Sequence, residues 1–141
     1  MSQIVETTFK YNGAEFYFDI EDAECAETYE VAIRQFERDY KTLQKDGGNA
    51  KFIREYCNIF ENLFDGIFGP GAGKKILGEK QNSRAATEAY SAFIDFVQAQ
   101  TDAGLELKNS FANRYTNRQQ RRAAERAARK AEKRAATGPE E

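Results

Sequence analysis

The residues best suited to chemistry in this chain are a run of carboxylates, a glycine–lysine stretch and two thiols. Glu21, Asp22, Glu24, Glu27 and Glu30 crowd one short segment, as a metal or acid–base site would. No second motif elsewhere pairs with them. Acidic residues at a helix start are favoured by its macrodipole, so a solvated helix entrance accounts for the run. Gly69-Pro70-Gly71-Ala72-Gly73-Lys74-Lys75 resembles a phosphate loop superficially. Such a loop needs glycine five residues before its Gly-Lys pair and Ser or Thr after it, whereas Phe68 and Lys75 hold those places. The pattern before it is helical, so the stretch reads as a loop that ends a helix, with 74–78 forming a short helical turn. Cys25 and Cys57 fall at or beside apolar helix faces and are expected as buried, reduced thiols. Histidine is absent, which excludes a histidine base, metal ligand or pH switch. No catalytic constellation, metal site or cofactor site emerges from these residues.

The charge is balanced in total and lopsided in layout. Residues 1–113 carry 12 Lys and Arg against 19 Asp and Glu, a net of −7, while residues 114–134 carry 9 against 2, a net of +7. The sequence therefore divides into an acidic body, 1–113, and a basic Ala/Arg-rich tail, 114–141. A chain of 141 residues suits one core and an appendage. No apolar run approaches the ~18 residues of a membrane span. Met1 to Glu6 lacks the basic and apolar regions of a signal peptide, and an intracellular protein is expected.

The elements that must position these residues are mostly helical. The widest apolar stripe runs from Phe52 to Phe68, with Ile53, Tyr56, Phe60, Leu63 and Ile67 in steps of three and four. A stripe widened further by Ile59, Phe64 and Phe68 needs cover on several sides, so this is the central helix. Before it, residues 4–10 and 15–20 flank Tyr11-Asn12-Gly13-Ala14 and predict a β-hairpin, because Asn-Gly supplies the positive φ angles of a type I′ turn. Phe16, Phe18 and Ile20 alternate with polar residues and give that hairpin one apolar face. A first helix follows, reaching about Lys45 and stopped by Asp46-Gly47-Gly48; Asn49 caps the central helix, and Gly66 weakens its last turn. A third helix is capped by Asn82 or Ser83 and carries Ala86, Tyr90, Phe93 and Val97 on its core face. Beyond Gln100 the pattern thins, Gly104 is a weak point, and from Arg118 onward only alanine is apolar. The prediction is a mainly α (α+β) protein: an N-terminal β-hairpin packed on a three-helix bundle, followed by a long basic C-terminal helix.

The hairpin from Phe9 to Ile20, the stretch Tyr56-Cys57-Asn58 with Phe60, Phe64, Asp65, Phe68 and Gly69, and Glu88-Ala89-Tyr90 with Phe93, Phe96 and Val97 carry a resemblance. So does the ending Tyr115-Thr116-Asn117-Arg118-Gln119-Gln120-Arg121-Arg122-Ala123. Together they are similar to tail assembly chaperones of siphophages and prophages of Gram-positive bacteria. The resemblance implies a non-enzymatic protein that binds the phage tape measure protein, assists tail tube assembly through the tube protein, self-associates, and acts in the host cytoplasm without remaining in the mature virion. The expected contact residues are Phe16 and Phe18 on the hairpin, exposed parts of Phe64, Ile67 and Phe68, and the tail residues Arg118, Arg121, Arg122, Arg126 and Arg129. The glycine-rich loop was too small, on this reading, to cover the end of the central stripe. The alternatives are a nucleic-acid-binding accessory protein, using the tail arginines with Lys130, and a minor structural phage protein. Against nucleic acid stand the acidic body and the lack of aromatic residues after Tyr115.

Overall fold

Six elements make up the computed structural model, which describes residues 5–43 and 49–136: β1 (Thr8–Tyr11), β2 (Ala14–Tyr17), α1 (Ala23–Lys41), α2 (Asn49–Phe68), α3 (Ala72–Leu77) and α4 (Ser83–Ala136). The fold is mainly α with an N-terminal hairpin and a long C-terminal helix, as the periodicities imply. Asn12 and Gly13 turn the hairpin at φ 50° and 77°, the pair of positive angles that a two-residue turn requires. Phe9 then lies opposite Phe16, and Tyr11 opposite Ala14. The strands are shorter than their β-rich composition suggested. Phe18 N–H still donates to Thr7 O at 2.8 Å, but Ile20 N–H is taken by a helix side chain.

Helix α1 begins at the acidic run because Asp22 caps it, its carboxylate accepting from Glu24 N–H at 3.1 Å. It ends at Thr42, sooner than expected. There the N–H is shared between the Arg38 and Asp39 carbonyls, and the hydroxyl donates to Asp39 O at 3.0 Å, tightening the last turn. The expected stop at Asp46-Gly47-Gly48 lies outside the described residues. Helix α2 keeps its full predicted length. Gly66 allows close approach, since a Cβ there would stand 3.3 Å from Ala32 Cβ on α1.

The glycine-rich stretch is more ordered than a plain loop. Its second half is α3, which lies against α2: Gly73 N–H donates to Asp65 Oδ1 at 2.7 Å, and the hairpin turn reaches the same helix through Asn12 Nδ2 to Ile76 O at 2.6 Å. A Cβ on Gly73 would meet the Glu61 carbonyl oxygen at 2.5 Å and Glu61 Cα at 2.8 Å. Both are backbone atoms and cannot swing away. Gly73→Ala is therefore expected to push α3 off α2 and lower stability by about 1–3 kcal/mol, read as a fall in the urea midpoint with an unchanged slope.

Helix α4 starts where Asn82 Oδ1 accepts from Ala85 N–H at 3.0 Å, and it continues through Gly104 without a break. The chain divides into two units, Met1–Ala103 and Gly104–Glu141, so the division falls earlier than the charge boundary at Arg114. Two buried clusters hold the first unit together. One gathers Phe9, Phe18, Phe64, Ile76, Ala89, Phe93 and Val97; the other gathers Cys57, Phe60 and Ala86 under Phe36, Tyr56 and Tyr90. Ala86 and Ala89 are fully buried, which is the close approach their small side chains permit. In the second unit, every described residue from Phe111 to Ala135 is exposed.

Candidate partner-binding surface

The first unit carries an apolar groove between α1 and α2. Val31, Ala32 and Phe36 from α1 and Ile59, Leu63 and Gly66 from α2 form its floor, around a volume of about 430 Å³. Glu27 and Asp39 stand on its rim. Past Asp39 the groove continues into a second hollow of about 400 Å³ that shares Asp39, Ile59 and Asn62 and adds Glu55, Thr42 and Leu43. At the rim, Arg38 donates to Gln35 Oε1 at 2.7 Å and Gln35 donates to Asp39 Oδ1 at 2.8 Å. Among the described lining residues none is lysine or arginine. An apolar floor between two helices with carboxylates along its edge suits an amphipathic helix that carries cations beside its apolar stripe.

The groove opens beside the core stripe of α1. Ala26, Tyr29, Ile33 and Phe36 follow the core stripe, whereas Val31 departs from it and is 54% exposed. That departure was the available sequence signal: a β-branched apolar residue among charged neighbours, off the stripe. Gly66 and Ala32 bring the two helices close together on the floor.

Of the contact residues expected from the sequence, two are corrected. Phe18 is 2% exposed and Phe64 0%, both in the main core cluster, so neither offers a surface to a partner. The reason is that the hairpin and α3 together close over the end of α2, with Ile76 fully buried, which a glycine-rich loop alone could not do. A Phe64→Ser change would test the core and not a surface. Phe16, Ile67 and Phe68 are half-buried, and Phe16 stacks on Phe68 with ring centroids 4.7 Å apart. This leaves an aromatic edge at Phe16, Ile67 and Phe68. Arg118, Arg121, Arg122, Arg126 and Arg129 are all exposed on α4 in the second unit. On the same helix Leu105, Leu107, Phe111 and Tyr115 are exposed, and the rings of Phe111 and Tyr115 stack at 6.5 Å.

No candidate for chemistry gains support from the geometry. Glu21, Asp22, Glu24, Glu27 and Glu30 are solvent-facing positions at the head of α1, and among the described residues no group of three or more acidic or thiol ligands is placed to hold a metal ion. Cys57 is buried, Cys25 is half-buried against the core, and both are free thiols. Burial, with Glu61 adding to it, pushes the Cys57 thiol up, so the group stays neutral and is a poor nucleophile. Burial likewise raises Tyr29 and Tyr90 above the ordinary phenol range. No helix among the described residues is long and apolar enough to cross a membrane.

Fold and surface together define a small hairpin-capped helical protein with an open helix–helix groove. Residues 12–125 match a family of unknown function, DUF6673, and the chain belongs to that family. Neither the curated proteins nor the solved structures contain a match to the chain.

Proposed function

We propose that this protein is a phage tail assembly chaperone that holds helical, partly apolar segments of the tape measure protein and performs no chemistry of its own. The observation that carries the proposal is the groove between α1 and α2, an apolar trough with a carboxylate rim that no described side chain of the first unit fills. Its dimensions suit side chains from one face of a helix, and helix-in-groove docking needs no catalytic group. The sequence resemblance supplies the identity of the client. On this reading several copies occupy one long client, each contact weak and the sum strong. They recruit tail tube protein in the host cytoplasm and leave before the virion matures.

The proposal is tested by co-expressing the full chain with a tape measure fragment. Val31→Glu places a charge on the exposed floor of the groove without touching the core, and it is expected to lower the soluble fraction of the client several-fold while the circular dichroism spectrum stays unchanged. Equal client solubility with the folded variant overturns the assignment of the groove. A second reading has its own observation in its favour: the exposed arginines Arg114, Arg118, Arg122 and Arg129 recur at helical spacing and would neutralise phosphates of a nucleic acid. Tight binding of DNA or RNA that falls steeply with salt, together with no client complex, would replace the chaperone with that reading.

A further inference from the structure

We infer that the groove between α1 and α2 also receives a second copy of this chain, through the apolar–basic face of that copy's α4. The inference rests on the groove being a helix-binding site and adds a resident ligand for it. Leu107, Phe111 and Tyr115 recur every four residues and are exposed, Phe111 by 70%. Arg114, Arg118 and Arg122 fall on the same side of the helix, within about 100° of arc at 3.6 residues per turn. This face therefore begins apolar and becomes basic along the chain. Leu105 lies on the opposite side and takes no part.

The groove offers matching features. Its middle is Val31, Ala32, Ile59 and Leu63, Glu27 stands at one end, and Asp39 and Glu55 lie toward the other, which carries two carboxylates against one. A helix laid parallel to α1 puts Leu107, Phe111 and Tyr115 on the apolar floor and brings Arg118 and Arg122 to the carboxylates. The lengths agree: Glu27 to Asp39 spans about 18 Å of α1, and Leu107 to Arg118 about 16 Å of α4, at 1.5 Å per residue. Charge complementarity selects this occupant. The surface that receives is part of residues 1–113, of net −7, and the surface that inserts runs into residues 114–134, of net +7. Arg38, beside the rim on α1, is already engaged through Gln35. The contact joins different patches on the two copies, so it is heterologous and can continue from copy to copy.

Two variants of the full chain test this, each damaging one half of the contact at exposed residues. One is Leu107→Glu with Phe111→Glu, which keeps its groove; the other is Val31→Glu, which keeps its helix face. Sedimentation equilibrium of the wild type is expected to show concentration-dependent association that weakens with added salt. Each variant alone is expected to associate at least ~tenfold more weakly. Mixing the two is expected to restore one intact contact and give a 1:1 complex, which a role confined to folding would not produce. A wild-type protein that stays monomeric at all concentrations overturns the inference, as does a mixture that fails to pair while both variants keep wild-type melting curves. A monomer that still solubilises the tape measure fragment through the groove ends this inference and leaves the proposed function intact. Association by this route without any client binding does the opposite.

Discussion

Gln100→Leu is expected to detach the hairpin from the helices and to lower stability by about 3 kcal/mol. Gln100 is 2% exposed and is the buried polar residue of the core among the described residues. Its Oε1 accepts from Ile20 N–H at 2.8 Å, and its Nε2 donates to Phe18 O at 2.7 Å and to Glu6 O at 2.8 Å. One side chain on α4 thus stands in for the strand that a two-stranded sheet lacks at the end of β2. Leucine matches the volume and contributes apolar contact, but it leaves an amide and two carbonyls without their partner, the Phe18 carbonyl in a buried place and the Ile20 amide and Glu6 carbonyl in partly buried ones. Each unsatisfied group costs on the order of 1–3 kcal/mol, and partial opening to solvent recovers some of that. The measurement is the urea midpoint together with amide exchange. Ile20 N–H should lose its protection while amides in the middle of α2 keep theirs until global unfolding. Unchanged exchange at Ile20 would show that another group carries the hairpin.

Phe93→Ala is expected to be more damaging still, at about 3–5 kcal/mol. Phe93 is fully buried and its ring lies within 5.2–6.4 Å of Phe9, Phe18, Tyr29, Phe64, Phe68 and Phe96, so it joins the hairpin, α1, α2 and α4 in one aromatic cluster. Edge-to-face packing of this kind adds to the area term, and removing the central ring leaves a cavity that four separate elements cannot all collapse into. Domain stabilities of about 5–15 kcal/mol leave little margin after such a loss. Thermal unfolding followed at 222 nm should move down by more than ten degrees, about what this loss implies for a unit of roughly a hundred residues. The neighbouring Phe96→Ala, at a half-buried position, should move it much less. Equal shifts for the two would place the centre of the core elsewhere.

Much of the architecture was legible before any coordinates. The Asn12-Gly13 pair defines a turn with a definite handedness, and the three- and four-residue spacing of Ile53, Tyr56, Phe60 and Leu63 defines a helix and its inner face. Other features were visible only in part. Gln100 continues the stripe of Phe93 and Val97, yet a glutamine at such a place reads as the point where a pattern fades. Only the approach of Ile20, Phe18 and Glu6, eighty or more residues away in the chain, gives it three hydrogen bonds. The glycine-rich stretch after Phe68 carried no sign of the cover it provides, because that cover depends on Gly73 lying against the Glu61 backbone.

By itself the sequence determined which segments are helical or extended, where they turn, and how charge is apportioned, since those properties follow from local propensity, period and composition. It also determined that α4 ends in a basic, alanine-rich face unable to build a core. The tertiary structure decided which apolar residues are spent inside. Phe18 and Phe64, equal in type to Phe16 and Phe68, are enclosed because the hairpin and α3 converge on them, while Val31 is left in the open because α1 and α2 meet along a glycine and an alanine. Burial is a property of neighbours brought from distant parts of the chain, and so the surface available to a partner could be located only once those neighbours were in place.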